Sequence, residues 1–387
     1  MKTWRIGVIG LGQRIAHVLG AMAETGWSLD VASHVDAEPV GLPILQGFGI
    51  DPGRRFSSVH ELVSAGPYDL IMIGSPNHLH AEHLTAVWNA GTPVFCEKPI
   101  VRTEDESFAL AAKLAGKDAP PLYIGLVMRS LPIVRDLITR IDGGELGELI
   151  SVDATEHLPP EHGAYLARNW RRRRDFGGSF MLDKVCHDFD IFGRFIGARP
   201  DKVASFGGRR IFHDGRKDPP RAYTTGEPAY VMRDAGWSAS NDPFQSDMDV
   251  ADHQTAMVQY ANGVRLSFHS NSHVALPERR WYVAGADGTL IADLVRNKLM
   301  VRRALNRSKP ERIDYANLTD DGHNGADQAM AIDLLAALEG RAAFPVTPWD
   351  SLEAGLTVMA IDRAMDEGTM LDCTPMWARF DAARARQ

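Results

Sequence analysis

Short apolar runs alternate with helical segments along the first third of the chain. The run from Trp4 to Ile9 is broken by Gly10, and apolar positions then recur at helical spacing from Ala16 to Ala23. Further apolar runs at Leu29 to Val35 and at Tyr68 to Ile73 each end at a turn signal. Strands that alternate with helices in this way predict βαβ units and a doubly wound parallel sheet.

The pattern changes further along the chain. Longer segments of alternating polar and apolar residues, such as Gln254 to Ser270, are typical of antiparallel strands. Near the C-terminus, Ala326 to Ala337 and Ser351 to Met365 have helical character, and we expect them to pack back on the first domain. The chain is therefore predicted to hold one parallel α/β domain over residues 1–125 and a second α/β domain over residues 126–387.

Charge excludes one broad class of function. The chain has 387 residues and a formal net charge of −8, whereas a general nucleic-acid binder would show a basic balance. The single basic run, Arg171 to Arg174, is interpreted either as a solvated loop or as a grip on an anionic substrate or on cofactor phosphates. Neither alternative requires a nucleic acid.

The cysteines and the apolar runs bear on location. Cys96, Cys186 and Cys373 lie far apart without a CxxC spacing, so a disulfide framework is not indicated and a reducing compartment fits. The N-terminal apolar run is too short for a signal peptide, and no stretch reaches the length of a membrane span. We therefore expect a cytoplasmic protein that does not enter the membrane.

A glycine-rich segment stands between the first predicted strand and helix, which is the context that the dinucleotide-binding fingerprint requires. Gly10 would make the tight turn, and Gly12 would let the backbone approach a pyrophosphate at the helix N-terminus. Ile15 replaces the third glycine, so close helix packing would have to rely on Ala16. The predicted cofactor contacts in this segment are Gly10, Gly12, Gln13, Arg14 and Ile15.

An acidic residue ends the second predicted strand. At this position the carboxylate of Asp36 can bind both hydroxyls of an adenosine ribose, and it would repel a 2′-phosphate. Ala37 follows, where a phosphate-binding Arg or Lys would otherwise stand. The sequence therefore favours NAD over NADP as the cofactor.

Three further motifs reveal a family. They are Ser75-Pro76-Asn77 with His80, then Glu97-Lys98-Pro99, then Gly177-Gly178 followed by Asp183, His187 and Asp190. Together with the glycine turn they resemble the glucose-fructose oxidoreductase, inositol dehydrogenase and MocA family over nearly the whole chain. The resemblance implies an N-terminal Rossmann domain and a C-terminal domain built on a largely antiparallel, open-faced sheet that makes oligomer contacts. It also implies cyclic polyols, pyranoses and their derivatives as substrates.

The resemblance carries roles onto matching residues. Lys98 would contact substrate beside the nicotinamide, and Asp183 and His187 would flank the reacting hydroxyl. Softer matches fall at Met128-Arg129, at Gly144 to Gly147 and at Gly322-His323 near Asp327. The implied cofactor contacts are Ser75, Pro76, Asn77, His80, Glu97 and Lys98, and the expected substrate contacts are Arg129, His157, Tyr165, Trp170 and His187.

Oxidation of a secondary alcohol needs a base within hydrogen-bond reach of the hydroxyl. His187 is one candidate, with Asp183 four residues earlier to orient its ring on the same helix face. Lys98 is the rival base, since it could also stabilise developing alkoxide charge. The cluster of His78, His80 and His83 lacks a zinc-site spacing, so no metal is predicted.

Three functions stay open from the sequence. The leading hypothesis is an NAD-dependent dehydrogenase of a sugar, sugar derivative or cyclic polyol, working as a homodimer or homotetramer. The second is an enzyme that oxidises a ring carbon transiently, eliminates a glycosidic substituent and returns the hydride. The third is a catalytically silent NAD-binding regulator, which the joint presence of Lys98, Asp183 and His187 disfavours.

Overall fold

The computed structural model describes residues 2–216, 219–231, 236–305, 307, 309–315 and 324–385. The strands are β1 (Thr3–Ile9), β2 (Ser28–Val35), β3 (Arg54–Phe56), β4 (Leu70–Ile73), β5 (Val94–Cys96), β6 (Leu122–Ile124), β7 (Leu149–His157), β8 (Pro200–Gly208), β9 (His253–Tyr260), β10 (Arg265–Asn271), β11 (Glu278–Gly285), β12 (Gly288–Asp293), β13 (Lys298–Arg303), β14 (Glu311–Asp314) and β15 (Leu371–Asp372). The α-helices are α1 (Gln13–Glu24), α2 (Leu42–Gly47), α3 (Val59–Ser64), α4 (His80–Val87), α5 (Glu104–Leu114), α6 (Pro132–Asp142), α7 (Pro160–Arg168), α8 (Arg174–Gly177), α9 (Cys186–Ile196), α10 (Ala326–Leu338), α11 (Pro348–Glu367) and α12 (Thr374–Arg384). None of the helices in these described ranges is long and apolar enough to cross a membrane.

The chain divides into two compact units. The first comprises Met1–Leu131, Leu318–Gly355 and Ala378–Gln387, and the second comprises Pro132–Asn317 and Leu356–Trp377. The first unit therefore takes α10 and the start of α11 from the C-terminal part of the chain. The helix α11 begins in the first unit and ends in the second.

The first unit is built on a six-stranded sheet in the order β3-β2-β1-β4-β5-β6, with every neighbouring pair parallel. All four residues of β4 are fully buried, as expected for a strand covered on both faces. The strand order reverses between β1 and β4, and ligands bind at such a switch point, beyond the carboxyl ends of the strands. The predicted doubly wound sheet is confirmed, and Gly10 and Ser75 lie in the loops that leave this point.

The second unit is built on a nine-stranded sheet in the order β14-β13-β12-β11-β7-β10-β9-β8-β15. Its β7 and β10 are parallel and the other neighbours are antiparallel, so the predicted largely antiparallel sheet is confirmed. Helix α9 covers one face, where Phe192 stacks edge-on against Trp281 at 5.4 Å between ring centroids. On the other face Phe206 and Met257 are 77% and 65% exposed.

A small aromatic cluster supports α7 in the second unit. Phe212, Tyr230 and Phe244 pack on one another and on Ala164 and Ala167 of the helix. The three rings themselves lie outside helices and strands, so their position depends on side-chain packing. The cluster therefore holds the helix that carries Tyr165.

Candidate active site

The turn after β1 has the geometry that a dinucleotide needs. Gly10 has a positive φ of 81°, and a Cβ added there would lie 2.3 Å from the Ser75 amide nitrogen, so only glycine fits. A Cβ added to Gly12 would meet only the Gly74 carbonyl oxygen, at 3.8 Å, among the described residues. The space over the N-terminus of α1 thus suits a pyrophosphate, whose charge the helix amides would meet.

Close packing between α1 and the sheet also involves Gly74, in addition to the Ala16 that the sequence pattern predicts. A Cβ added to Gly74, at the end of β4, would lie only 2.6 Å from the Cβ of Ile15. Ile15 is fully buried, and the missing side chain at position 74 makes room for it. Gly74, directly after β4, therefore provides the space that the third glycine of the fingerprint would otherwise provide.

Asp36 follows β2 directly, in the position that a ribose-binding carboxylate requires. Its Oδ1 accepts a hydrogen bond from the Glu38 amide at 2.7 Å, and burial raises the pKa of Asp36 above its usual range. Arg55 on β3 donates to the carbonyl oxygens of Asp36 and Ala37 at 2.9 and 3.0 Å. An arginine of the adjacent strand therefore lies beside the backbone of Asp36 and Ala37.

Arg14 and Glu97, both predicted to contact the cofactor, bind one another. The Nε atom of Arg14 lies 3.0 Å from Oε1 of Glu97, and its two Nη atoms lie 2.7 and 2.6 Å from the carboxylate of Asp327 on α10. Burial lowers the pKa of Arg14, but the Asp327 and Glu97 carboxylates raise it by more. We therefore assign both side chains to holding the loops after β1 and β5 together. The role of Asp327 could not be predicted from the sequence, because it lies 313 residues from Arg14.

The two loops that leave β4 and β5 carry the other predicted cofactor residues. Ser75 and Asn77 are buried, and the Ser75 hydroxyl lies 2.9 Å from Nδ1 of His83. Lys98 is half-buried, and its backbone amide donates a hydrogen bond to Oε2 of the preceding residue, Glu97, at 3.2 Å. These loops lie side by side because β4 and β5 are parallel neighbours. Pro76 lies in the first loop and Pro99 in the second.

Asp183 lies in a π-helical turn, Met181–Val185, that continues directly into α9. Ser179 begins this segment by accepting hydrogen bonds from the amides of Leu182 and Asp183, both at 2.9 Å. The Ser179 hydroxyl in turn donates to Asp362, which is buried on α11. Such π turns are frequent at functional sites. The buried carboxyl group of Asp362 fixes this π turn through Ser179.

Arg171 gathers three of the predicted site residues of the second unit. Its Nε lies 3.0 and 3.1 Å from the two carboxylate oxygens of Asp183. Its guanidinium lies over the Trp170 ring, 4.1 Å from the centroid, and its Nη1 lies 3.4 Å from the Tyr165 hydroxyl. His187 follows at the start of α9 and is 5% exposed. From the sequence, Arg171 was distinguished only as a member of the basic run.

The rest of the basic run is an ion-pair network. Arg172 and Arg173 both bind Asp247, at 2.5 and 3.1 Å, and Arg174 binds Asp366 through both carboxylate oxygens. These partners belong to the same unit. The two predicted alternatives, the solvated loop and the anion grip, did not include this pairing, because spacing along the chain cannot reveal acids that lie more than 70 residues away.

Two expected substrate contacts have other partners. Arg129 is 5% exposed, and its Nη1 donates to the Pro345 carbonyl at 3.2 Å while its Nη2 lies 3.7 Å from Asp350. These bonds tie the short helical turn after β6 to the first turn of α11 and to the segment before it, within the first unit. Arg129 therefore stabilises that junction. Of the softer family matches, Gly322 and His323 lie outside the described residues.

His157 ends β7 on the open face of the second sheet. Its ring lies edge-on to His269 at 4.9 Å, and its Nδ1 lies 3.2 Å from Nδ2 of Asn271. Side chains alternate along a strand, so the preceding residue, Glu156, is the one that points toward α9 and Asp188. The orientation of His157 does not support the expected contact with a substrate beside α9.

A buried charge network that the sequence did not predict lies against the start of α9. Asp188 accepts hydrogen bonds from Arg279 Nε at 3.0 Å, Arg279 Nη2 at 2.5 Å and Trp281 Nε1 at 3.0 Å. Glu156 lies 3.3 Å from Arg279 and 3.6 Å from Lys184. Burial raises the pKa of Asp188 to about 6. A sequence signal for this network exists: Glu156 and Arg279 are charged residues at inward-facing positions of two strands with alternating polarity.

The family is identified by its two domain models. Residues 4–123 match the oxidoreductase family with an NAD-binding Rossmann fold, and residues 134–291 match the C-terminal domain of the GFO/IDH/MocA family. The chain belongs to the GFO/IDH/MocA family of NAD-binding oxidoreductases. The predicted family, the cofactor NAD and the enzyme class are confirmed.

Individual relatives extend this assignment. The chain is 26% identical over 375 residues to 1,5-anhydro-D-fructose reductase of Ensifer adhaerens, across 95% of this chain and 97% of that protein. It is 25% identical over 224 residues to inositol 2-dehydrogenase of Corynebacterium glutamicum, a match that spans 56% of this chain and 62% of that protein. A solved structure of levoglucosan dehydrogenase in complex with NADH and levoglucosan has a TM-score of 0.74 at 21% identity, and the match covers 96% of this chain and 99% of that one. This last likeness shows the fold.

Proposed function

We propose that the chain is an NAD-dependent dehydrogenase that acts on a secondary hydroxyl of a sugar, a sugar derivative or a cyclic polyol. The observation that carries the proposal is the Arg171–Asp183 ion pair over the Trp170 ring, with His187 four residues after the carboxylate. Charged side chains of both signs suit the hydroxyls of a sugar or polyol. The names of the relatives, which include a sugar reductase and an inositol dehydrogenase, support the same substrate class.

The first unit supplies the cofactor site in this proposal. The turn at Gly10 and Gly12 would receive the pyrophosphate, and Asp36 would bind the adenosine ribose. When bound, NAD accepts the hydride that leaves the carbinol carbon. Ser75 and Asn77 would line the cofactor through the loop after β4.

The proton must leave the substrate hydroxyl as the hydride leaves carbon. His187 would take it as the base, and Asp183, fixed by Arg171, would orient the imidazole and balance its charge. Lys98 would stabilise the alkoxide, or take the proton itself as the rival base. Arg129 and His157 are no longer included among the substrate contacts that we propose.

The test is a spectrophotometric panel. Purified protein with NAD and a set of inositols, hexoses, anhydrosugars and glycosides should reduce the nicotinamide with at least one compound. Lys98→Met and His187→Ala should abolish that signal, whereas Lys117→Met, an exposed lysine of the same unit as Lys98, should retain it. Retention of full activity in His187→Ala and Lys98→Met would contradict the proposed roles.

The same panel separates the alternative functions. Glycoside cleavage that requires NAD but yields no net NADH would replace the dehydrogenase by the redox-neutral enzyme. Tight NADH binding with no reaction on any compound would favour the silent regulator.

We further propose that the open face of the second sheet joins two copies into a homodimer or a homotetramer. Phe206 and Met257 project from neighbouring strands of this face, and exposed apolar side chains of this kind mark protein contacts. Light scattering should give a dimer or larger, and Met257→Lys should shift it toward the monomer. A cytoplasmic location is proposed as well, supported by three cysteines that are buried and in the thiol form.

A further inference from the structure

His80 occupies an unusual hydrogen-bonding position at the start of α4. Its side chain is 1% exposed. Its Nδ1 lies 2.8 Å from the carbonyl oxygen of Pro99, and its Nε2 lies 2.8 Å from the carbonyl oxygen of Ser75. One ring thus connects the loop after β4 with the loop after β5. Lys98 immediately precedes Pro99 in the second loop.

The protonation of the ring follows from these two contacts. A peptide carbonyl oxygen only accepts hydrogen bonds, and a neutral imidazole has one donor nitrogen and one acceptor nitrogen. The neutral ring of His80 would therefore direct a lone pair at a carbonyl oxygen 2.8 Å away. Only the imidazolium, with a proton on each nitrogen, makes both contacts attractive.

Rotation of the ring by half a turn does not remove the conflict. It would bring ring carbons close to the positions that the two nitrogens now occupy. Carbon-to-oxygen contacts of the C–H···O type normally lie at roughly 3.3 to 3.6 Å. The observed separations from His80 are shorter than that and match charge-assisted N–H···O bonds.

The neighbouring titratable rings are His78, just before α4, and His83, on the same helix, and the other charged groups that act on His78 are Arg102, Glu82 and Glu106. Burial first, and then repulsion from His80 and His78, lowers the pKa of His83 to about 4. Burial first, then repulsion from Arg102 and His80, also lowers the pKa of His78. These two rings are therefore neutral at neutral pH, which leaves His80 as the only one of the three histidines that could be a cation. His80 lies at the N-terminal end of α4, whose partial positive charge disfavours an imidazolium. The two carbonyl oxygens must therefore supply the stabilisation of its charge.

We propose that His80 is a buried imidazolium that joins the loops after β4 and β5 and so positions Lys98. The expected contact between the His80 side chain and the cofactor is replaced by this role, because both ring nitrogens are bound to backbone. The effect on Lys98 rests on the proposed dehydrogenase function, whereas the protonation state does not.

The protonation state is tested by nitrogen NMR of the full-length protein with ring-labelled histidine. Comparison with a His80→Gln spectrum, or through-bond assignment in the unmodified protein if that variant does not fold, identifies the His80 signals. Both ring nitrogens should have protonated shifts between about pH 6 and 8, where free histidine titrates. A single unprotonated nitrogen in this range would overturn the proposal.

The positioning role needs a second readout. In His80→Gln that still folds, kcat should fall by about tenfold or more, since small displacements of a catalytic group are costly, while the Kd for NADH changes by less than about threefold. His60→Gln, an exposed histidine of the same unit, serves as the control. An unchanged kcat in folded His80→Gln would contradict the positioning role even if the NMR result holds.

Discussion

The guanidinium of Arg171 lies against both carboxylate oxygens of Asp183, at 3.0 and 3.1 Å, while it rests on the ring of Trp170. The pair joins a short segment after α7 to the π turn before α9. Because both partners are largely buried, the ion pair fixes the direction in which the Asp183 carboxylate points.

Removal of this guanidinium should impair catalysis. Arg171→Ala should lower kcat by about 10- to 100-fold through misplacement of Asp183, and Arg171→Lys should recover only part of it, because an ammonium cannot reproduce the planar contact. Steady-state kinetics on the substrate found in the panel provides the measurement. Arg173→Ala, from the outer part of the same run, is the control. Wild-type kcat in Arg171→Ala would show that the ion pair has no catalytic role.

Cofactor preference should depend on one carboxylate. In Asp36→Ser the repulsion of a 2′-phosphate disappears, and Arg55 is already next to the Asp36 carbonyl oxygen. We expect the ratio of Kd values for NADPH and NADH to move toward NADPH by about tenfold, the worth of one charge-assisted hydrogen bond. Nicotinamide fluorescence measures both constants. The double variant with Arg55→Ala should lose this gain, and an equal gain without Arg55 would disprove the role of that side chain.

The buried network beneath α9 should be costly to break. Asp188→Ala leaves Arg279 without its main partner and should lower the free energy of unfolding by about 3–5 kcal/mol. Asp142→Ala removes an ion pair with Arg194 in which the Asp142 side chain is 47% exposed and the Arg194 side chain 41% exposed. It should lower the free energy of unfolding by less than about 1 kcal/mol. Urea unfolding compares the two variants. Similar losses in both would mean that the Asp188 pair is not desolvated.

Asp362 should make stability depend on pH in an unusual direction. Burial raises its pKa from an ordinary 3.8 to about 6. The folded state therefore binds this proton more tightly, and the resulting stabilisation is complete below about pH 4 and is lost as pH rises through about 6.

The matching variant is Asp362→Asn, which cannot titrate. Relative to the wild type, its free energy of unfolding should rise by up to roughly 3 kcal/mol between pH 4 and 7, as the wild type loses its proton-linked contribution. Urea unfolding at several pH values measures the difference. A difference that stays constant with pH would contradict the raised pKa of Asp362.

Local patterns predicted the fold well, and long-range partners account for what they missed. The strand, turn and helix around Gly10 could be recognised because their signals are periodic and contiguous. The contact between Ile15 and Gly74, and the bond between Arg14 and Asp327, join positions far apart in sequence. Charge spacing alone could not assign partners to such residues, so their roles emerged only from the packing.

Transfer of a hydride between a carbinol carbon and the nicotinamide is the central claim, and isotopic labelling tests it most directly. The substrate identified in the panel is labelled with deuterium at the carbon that bears the reacting hydroxyl and is incubated with NAD. The account predicts that the deuterium appears in the reduced nicotinamide ring and that His187→Ala abolishes the transfer. Deuterium that is released to water, or that never leaves the sugar while product forms, would contradict it.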